Sequence, residues 1–145
     1  MNCKNDIEVL ARTIYGEARG EKQEGRIAVA NVVMNRLLKK KQAGYEIVRG
    51  QRLAGVAATC LKPFQFSCWL KDDPNLEVIK KVTTDDAVFA ECWRIATKAV
   101  HKQLADITNG ATHYYSPRGC KCPTFAEGKK PCAIIGTHYF FNDID

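Results

Sequence analysis

Between residues 14 and 21 the chain reads Ile14-Tyr15-Gly16-Glu17-Ala18-Arg19-Gly20-Glu21, a carboxylate set between two glycines at the end of an amphipathic run. Glycine frees the backbone from helical geometry and lets a ligand or a second segment approach closely. A glutamate at the edge of an apolar helix end can lose enough solvation to hold its proton near neutral pH, which is what a general acid requires. Taken alone, the same pattern also describes a helix end with its charges in water. A second acid, Glu21, lies four residues on, where a continuous helix would put it on the same face. Gly20 makes that continuity doubtful, and a salt bridge from Glu21 to Arg19 or Arg26 is the expected use of this second acid.

The elements that must hold Glu17 can be read from hydrophobic periodicity. Asn5 is placed to cap a first helix, with Glu8 at the capping-box position. Ile7, Leu10, Ala11 and Ile14 then form the i, i+3, i+4, i+7 stripe of a half-buried helix, which Gly16 is expected to end or kink. A second helix is expected from about Glu24 to Lys41. It is apolar nearly all round, through Ile27, Ala30, Met34 and Leu38 on one face and Val29, Val32 and Val33 on another, and so is expected to be the central helix. Asn31 and Asn35 share a face one turn apart and either bond to backbone near Glu17 or face solvent. Gly44 is read as the stop of this helix. Leu53, Val56, Ala57 and Cys60 give a further helical stripe closed by Pro63.

Phe64-Gln65-Phe66-Ser67-Cys68-Trp69 alternates aromatic and polar residues without a helical period. After a loop at Pro74, Thr83 or Thr84 is expected to cap a long helix carrying Phe89, Cys92, Trp93, Ala96 and Val100. Asn109-Gly110 is a turn signal, and beyond it the texture becomes β-like. Thr112-His113-Tyr114-Tyr115 and Thr137-His138-Tyr139-Phe140 echo one another and are expected to pair as strands. The fold class that follows is α+β, mainly helical, with a small β element near the C-terminus.

Several of these segments together resemble one family. Ala11 to Glu21, Ala28-Val29-Ala30-Asn31-Val32-Val33-Met34-Asn35-Arg36, Gln65-Phe66-Ser67-Cys68-Trp69, Gly110-Ala111-Thr112-His113-Tyr114-Tyr115 and Ile135-Gly136-Thr137-His138-Tyr139-Phe140 occur in the order seen in SleB-type cell-wall hydrolases, the spore cortex-lytic enzymes. The resemblance spans nearly the whole chain. It implies a lysozyme-like, lytic-transglycosylase-like single domain over residues 1–145, with Glu17 as the catalytic acid that cuts the glycan strand of peptidoglycan between N-acetylmuramic acid and N-acetylglucosamine.

Glycoside cleavage needs an acid for the bridging oxygen and a partner for the oxocarbenium-like carbon. A retaining pair of carboxyls would stand roughly 5 Å apart. With Glu21 assigned to a salt bridge, Glu17 acts alone, which suffices when the muramic acid 6-hydroxyl attacks its own anomeric carbon. Lytic transglycosylation is therefore the expected reaction, and hydrolysis of the same bond by a muramidase is the alternative. Gln65, Ser67 and Trp69 are expected to wall the cleft, amides bonding N-acetyl groups and the indole stacking on a sugar, while Phe66 packs inward. Core packing is the other reading of Trp69. His113 and Tyr115 form the opposite candidate wall, and alternation puts Tyr114 on the other face of their strand. Tyr15 either orients Glu17 or staples the helix end.

Composition limits the alternatives. At 145 residues with 46% apolar content the chain can bury a core without a metal or disulfide framework. The net charge of +6 favours polyanionic partners, peptidoglycan glycan strands with their acidic stem peptides among them. Its lysines are dispersed, at Lys39-Lys40-Lys41, Lys80-Lys81 and Lys129-Lys130, with no nucleic-acid motif, so no nucleic-acid role is expected. No apolar run is long enough for stable membrane insertion. The start, Met1-Asn2-Cys3-Lys4-Asn5-Asp6, lacks the apolar core of a signal peptide. A phage endolysin held in the cytoplasm until released to the wall or periplasm, and a monomer, is the expectation.

Of seven cysteines, Cys60 and Cys92 read as core residues. Cys120, Cys122 and Cys132 lie in a Gly/Pro/Lys loop, where a Cys3His zinc site with His113 or His138 is conceivable. The spacing lacks paired C-x2-C knuckles, so free thiols or one loop disulfide are expected, with no metal and no cofactor. Two non-enzymatic rivals remain at this stage, a wall-binding module and a zinc-stabilised interaction domain.

Overall fold

Leu10 and Ile14, one turn apart, are both fully buried, and they set the axis of the first helix, α1 (Cys3–Ala18), in a computed structural model that describes residues 3–144. Met1, Asn2 and Asp145 lie outside the described residues, as does the side chain of Cys3, and with them the first part of the polar start discussed above. The helix begins at Cys3, so Asn5 is inside its first turn and is not its cap. It also continues through Gly16 and Glu17 to Ala18. Gly16 serves a different purpose from the expected break. A Cβ there would stand 2.7 Å from the Cys68 Cβ and 2.8 Å from its sulfur, so the missing side chain lets the Ser67–Trp69 turn lie directly on α1.

The helix at the centre is α1, which packs against each of the other four: α2 (Gln23–Lys39), α3 (Val56–Leu61), α4 (Asn75–Lys81) and α5 (Ala87–Val100). The expectation of a central α2 is corrected here, and the reason for its all-round apolarity is visible. Val29 and Val33 enter the main helical core, while Ala28 and Val32 join Ala111 and Phe140 in a second cluster under the C-terminal sheet. A helix between two cores is apolar on two sides without being the centre of either. Its outer edge is wet, with Leu38 exposed.

Asn31 and Asn35 do neither of the things expected of them. Asn31 donates to the Ala105 carbonyl at 3.1 Å and accepts from the Ile107 N–H at 2.9 Å. Asn35 donates to the Ala111 carbonyl and to an Asp106 oxygen, each at 3.0 Å. Together they pin the loop that carries the chain from α5 to the sheet, satisfying buried amides and loop backbone at once.

A hairpin follows α2, formed by β1 (Gly44–Val48) and β2 (Gln51–Gly55) around Arg49 and Gly50, both at positive φ. Gly44 therefore opens a strand, and Leu53 belongs to β2 and not to the helical stripe assigned to it. The long helix α5 is capped by Asp86, whose carboxylate accepts from the Val88 and Phe89 N–H groups at 2.9 and 3.0 Å. Thr83 instead receives the Asp85 N–H, so neither threonine is the cap. Lys80 and Lys81 end α4, a short helix where a loop was expected.

The expected strand pairing is present. β3 (His113–Tyr115) and β5 (His138–Phe141) run antiparallel, Tyr114 opposite Phe140, and β4 (Ala133–Ile135) adds to the other edge of β5. The architecture is α+β and mainly helical, as expected, with a second small sheet that was not. Among the described residues no helix is long and apolar enough to cross a membrane.

Candidate active site

Glu17 is the penultimate residue of α1, half-buried, at the point where the helix meets the C-terminal sheet. Strand alternation turns Tyr114 of β3 toward it, and the Tyr114 hydroxyl donates to Glu17 Oε1 at 2.6 Å, a length typical of a charge-assisted bond. The tyrosine is held by its neighbours on β5, edge-on to His138 at 5.2 Å between ring centroids and tilted on Phe140 at 5.5 Å. Burial, then the Glu17 charge and the hydrogen bond to it, push the hydroxyl well above its ordinary pKa, so it stays a donor at any physiological pH. Cys68 brings its thiol beside Glu17 from the turn seated on Gly16. Its pKa is driven up by burial first and then by the charge of Glu17.

Arg36 completes the surroundings. The guanidinium is buried beneath the site, its Nε donating to the Thr112 carbonyl at 2.7 Å and its plane 5.0 Å from the centre of the Phe66 ring. Nη1 has no hydrogen-bond partner. Burial lowers its pKa, and the charge of Glu17 opposes that shift, so the cation and the carboxylate feel one another. The arrangement suits a carboxyl that gives up a proton and is then met, as an anion, by the Tyr114 hydroxyl and a nearby cation.

Glu21 lies one helical turn beyond and is used differently. Its two oxygens accept from the Thr137 N–H at 2.9 Å and the Thr137 hydroxyl at 3.1 Å, and His138 Nδ1 is 3.4 Å away. That last contact is ionic proximity and not a formed hydrogen bond, because Nδ1 has no partner of acceptable geometry. Burial would raise the Glu21 pKa, but the Thr137 N–H and hydroxyl and then His138 outweigh it, and the carboxyl is held below its ordinary value. Gly136, at φ 59°, makes room: a Cβ there would be 2.4 Å from Glu21 Oε1. The expected salt bridge from Glu21 to Arg19 or Arg26 is thus replaced by a clamp on the β4–β5 turn. Arg19 donates to Asn75 at 2.5 Å, and Arg26 pairs with Glu91 at 2.7 Å while donating to the Ala18 and Arg19 carbonyls at the end of α1.

The other residues singled out in the sequence divide into two groups. Gln65 is half-buried and Ser67 exposed, and they alternate with buried Phe66 and Cys68 in the segment that brings Cys68 beside Glu17. Trp69 lies half-buried at the core edge with its indole N–H donating to Thr13 Oγ1 at 2.9 Å. Tyr15 is buried, its hydroxyl donating to Asp86 at 3.1 Å and its ring edge-on to Phe89, and it ties α1 to the start of α5. His113 and Tyr115 sit on the face of β3 turned away from Tyr114, packed against Phe125. Burial, with Arg36 and Lys41 nearby, lowers the His113 pKa to about 4 and leaves it neutral at pH 7. The residue this strand brings to Glu17 is Tyr114. The alternation that separates it from His113 and Tyr115 was legible, but not which face the helix end would meet.

The profile of the cell wall hydrolase family matches residues 20–141. The chain belongs to that family. A spore cortex-lytic enzyme of Halalkalibacterium halodurans is 58% identical over 140 residues, 95% of this chain and 35% of that protein. The chain thus spans about a third of that relative's length. Two solved structures are similar in fold: the catalytic domain of the Bacillus cereus SleB protein, with a TM-score of 0.67 at 23% identity over 94% of this chain and 89% of that one, and the catalytic domain of the germination-specific lytic transglycosylase SleB from Bacillus anthracis, with a TM-score of 0.60 at 24% identity over 94% and 93%. The lysozyme-like fold expected from the sequence is therefore the fold of this family member. Glu17 lies three residues before the matched segment.

Among the described residues, no three His, Cys, Asp or Glu side chains gather as a metal site. Cys120 and Cys132 instead donate to the Ser116 and Thr108 carbonyls at 3.4 and 3.1 Å. Cys122 lies 3.6 Å from the Pro123 carbonyl.

Proposed function

We propose that this domain cleaves the glycan strand of peptidoglycan between N-acetylmuramic acid and N-acetylglucosamine as a lytic transglycosylase, with Glu17 as acid and then base. One observation carries the reading: Glu17 accepts a single hydroxyl on one oxygen, whereas Glu21, four residues on, has both oxygens committed to Thr137. The proton of Glu17 passes to the bridging oxygen as the bond from that oxygen to the muramic anomeric carbon breaks. The muramic 6-hydroxyl then bonds to that carbon and returns its proton to the Glu17 carboxylate, which the Tyr114 hydroxyl steadies in the interval. No water is consumed. The attacking hydroxyl belongs to the substrate, so it has the proximity advantage of an intramolecular nucleophile. Gln65 and Ser67 are the polar groups best placed to meet the glycan.

Asp73 supports a second reading, hydrolysis. Its charge reaches Cys68, which contacts Glu17. One of its oxygens accepts the Asn75 N–H at 2.8 Å at the start of α4, which leaves the other able to hold a water. Incubation with purified sacculi tests the function class: soluble muropeptides should appear in proportion to enzyme and time. Binding to sacculi with no release would mean a wall-binding module.

A further inference from the structure

The turn after α3 has a residue in the wrong place for backbone comfort. The Gln65 N–H closes it on the Lys62 carbonyl at 3.2 Å, with Pro63 and Phe64 at its centre. Proline suits the first central position, but Phe64 has φ 64°, the left-handed setting that such turns normally give to glycine. The ring is 82% exposed, so no core packing compensates for this strain. Phe64 directly precedes Gln65, at the start of the segment that brings Cys68 beside Glu17.

Next to this turn an open groove of about 550 Å³ runs between the β1–β2 hairpin and α3, with Tyr45, Arg52, Leu61, Lys62 and Pro63 in its walls. Arg52 is already arranged, its guanidinium 3.8 Å from the centre of the Tyr45 ring. Both charged residues in these walls are cations and none is an acid. A strained exposed aromatic beside a groove with only positive charge fits an anionic chain carrying some apolar surface. Resting on the function proposed above, we infer that this groove takes the acidic stem peptide of the strand being cut. Arg52 and Lys62 meet its carboxylates, and Phe64 packs on the strand between groove and cleft. The enzyme would thereby favour peptide-bearing glycan over stripped glycan.

A soluble stem tetrapeptide with free carboxylates, and the same peptide with its carboxylates amidated, would be titrated into the protein and followed by NMR. The free peptide should shift Tyr45, Arg52, Lys62 and Phe64 signals. Amidation, or Arg52→Gln with Lys62→Gln, should weaken binding at least tenfold. Phe64→Gly should keep or raise the melting temperature while weakening affinity for peptide-bearing strands severalfold, a combination that a structural role for the ring would not give. Equal binding of the two peptides, shifts elsewhere, or no shifts would overturn the inference. The peptide contains no glycosidic bond, so this outcome is independent of cleavage: a protein that binds it but cuts no glycan would defeat only the proposed reaction.

Discussion

Glu17 and Glu21 stand four residues apart at the same end of the molecule, and both reach toward the C-terminal sheet. Glu17 meets it through a single hydroxyl, with a thiol on its other side and a buried cation nearby. Glu21 meets it through backbone and side chain of one residue, pressed against a glycine that no other residue could replace without a clash. The first is a carboxyl left with a task; the second is a carboxylate consumed by architecture. Carboxylates with such different settings are free to differ in role, as where environment separates the two acids of lysozyme.

The largest effect expected is from Glu17→Gln, which keeps volume and an acceptor but delivers no proton. Muropeptide release should fall about a hundred- to ten-thousandfold, while the melting temperature changes little. Glu21→Gln should reverse the pattern, lowering the melting temperature and leaving the folded enzyme active. If Glu21→Gln abolished cleavage in a fully folded protein, the division between the two acids would be wrong. Gly136→Ala probes the clamp from its other side: with its φ of 59° and the contact to Glu21, it should destabilise the fold by about 1–3 kcal/mol in denaturant titration.

Tyr114→Phe should cost less. Removing one donor to a carboxylate changes stability by about 1.5–3 kcal/mol. Cleavage should drop by roughly tenfold, the share of transition-state support carried by one charge-assisted bond. The loss should appear in kcat and not in KM, because the hydroxyl touches Glu17 and not the glycan. A change confined to KM would make Tyr114 a substrate ligand.

The smallest effect is in pH. The folded Glu21 carboxyl lies below its ordinary value of 4.5, so its contribution to stability is fully present above that pH and is lost as pH falls through the lower folded value. The melting advantage of wild type over Glu21→Gln should therefore be flat at neutral pH and shrink below about pH 4.5. An advantage that grew on acidification would contradict the clamp.

What the sequence disclosed follows from what local patterning can encode. The stripes of α1 and α5 and the echo that became β3 and β5 are periodic signals, and periodicity survives without knowledge of neighbours. Gly16 does not break α1 but admits Cys68, and no local pattern names a partner fifty residues away. The β1–β2 hairpin escaped because Arg49-Gly50 is an uncommon turn pair and Ile47 and Leu53 point to solvent, which blurs the alternation. The same limit applies at the site. Glu17 could be singled out by its setting between glycines, and Tyr114 could be separated from His113 and Tyr115. That the helix end would meet the Tyr114 face, and that Thr137 would absorb Glu21, depends on how α2 lies between two cores.

The central claim, one acid with the substrate's own hydroxyl as nucleophile, is tested most directly by the mass of the products. Soluble muropeptides released from sacculi by the wild-type protein should end in 1,6-anhydro-muramic acid, one water lighter than hydrolysed species and unreactive to borohydride. Asp73→Asn should give the same anhydro ends. Reducible muramic acid ends from the wild-type protein, lost in Asp73→Asn, would contradict the account and make Asp73 the base that activates water.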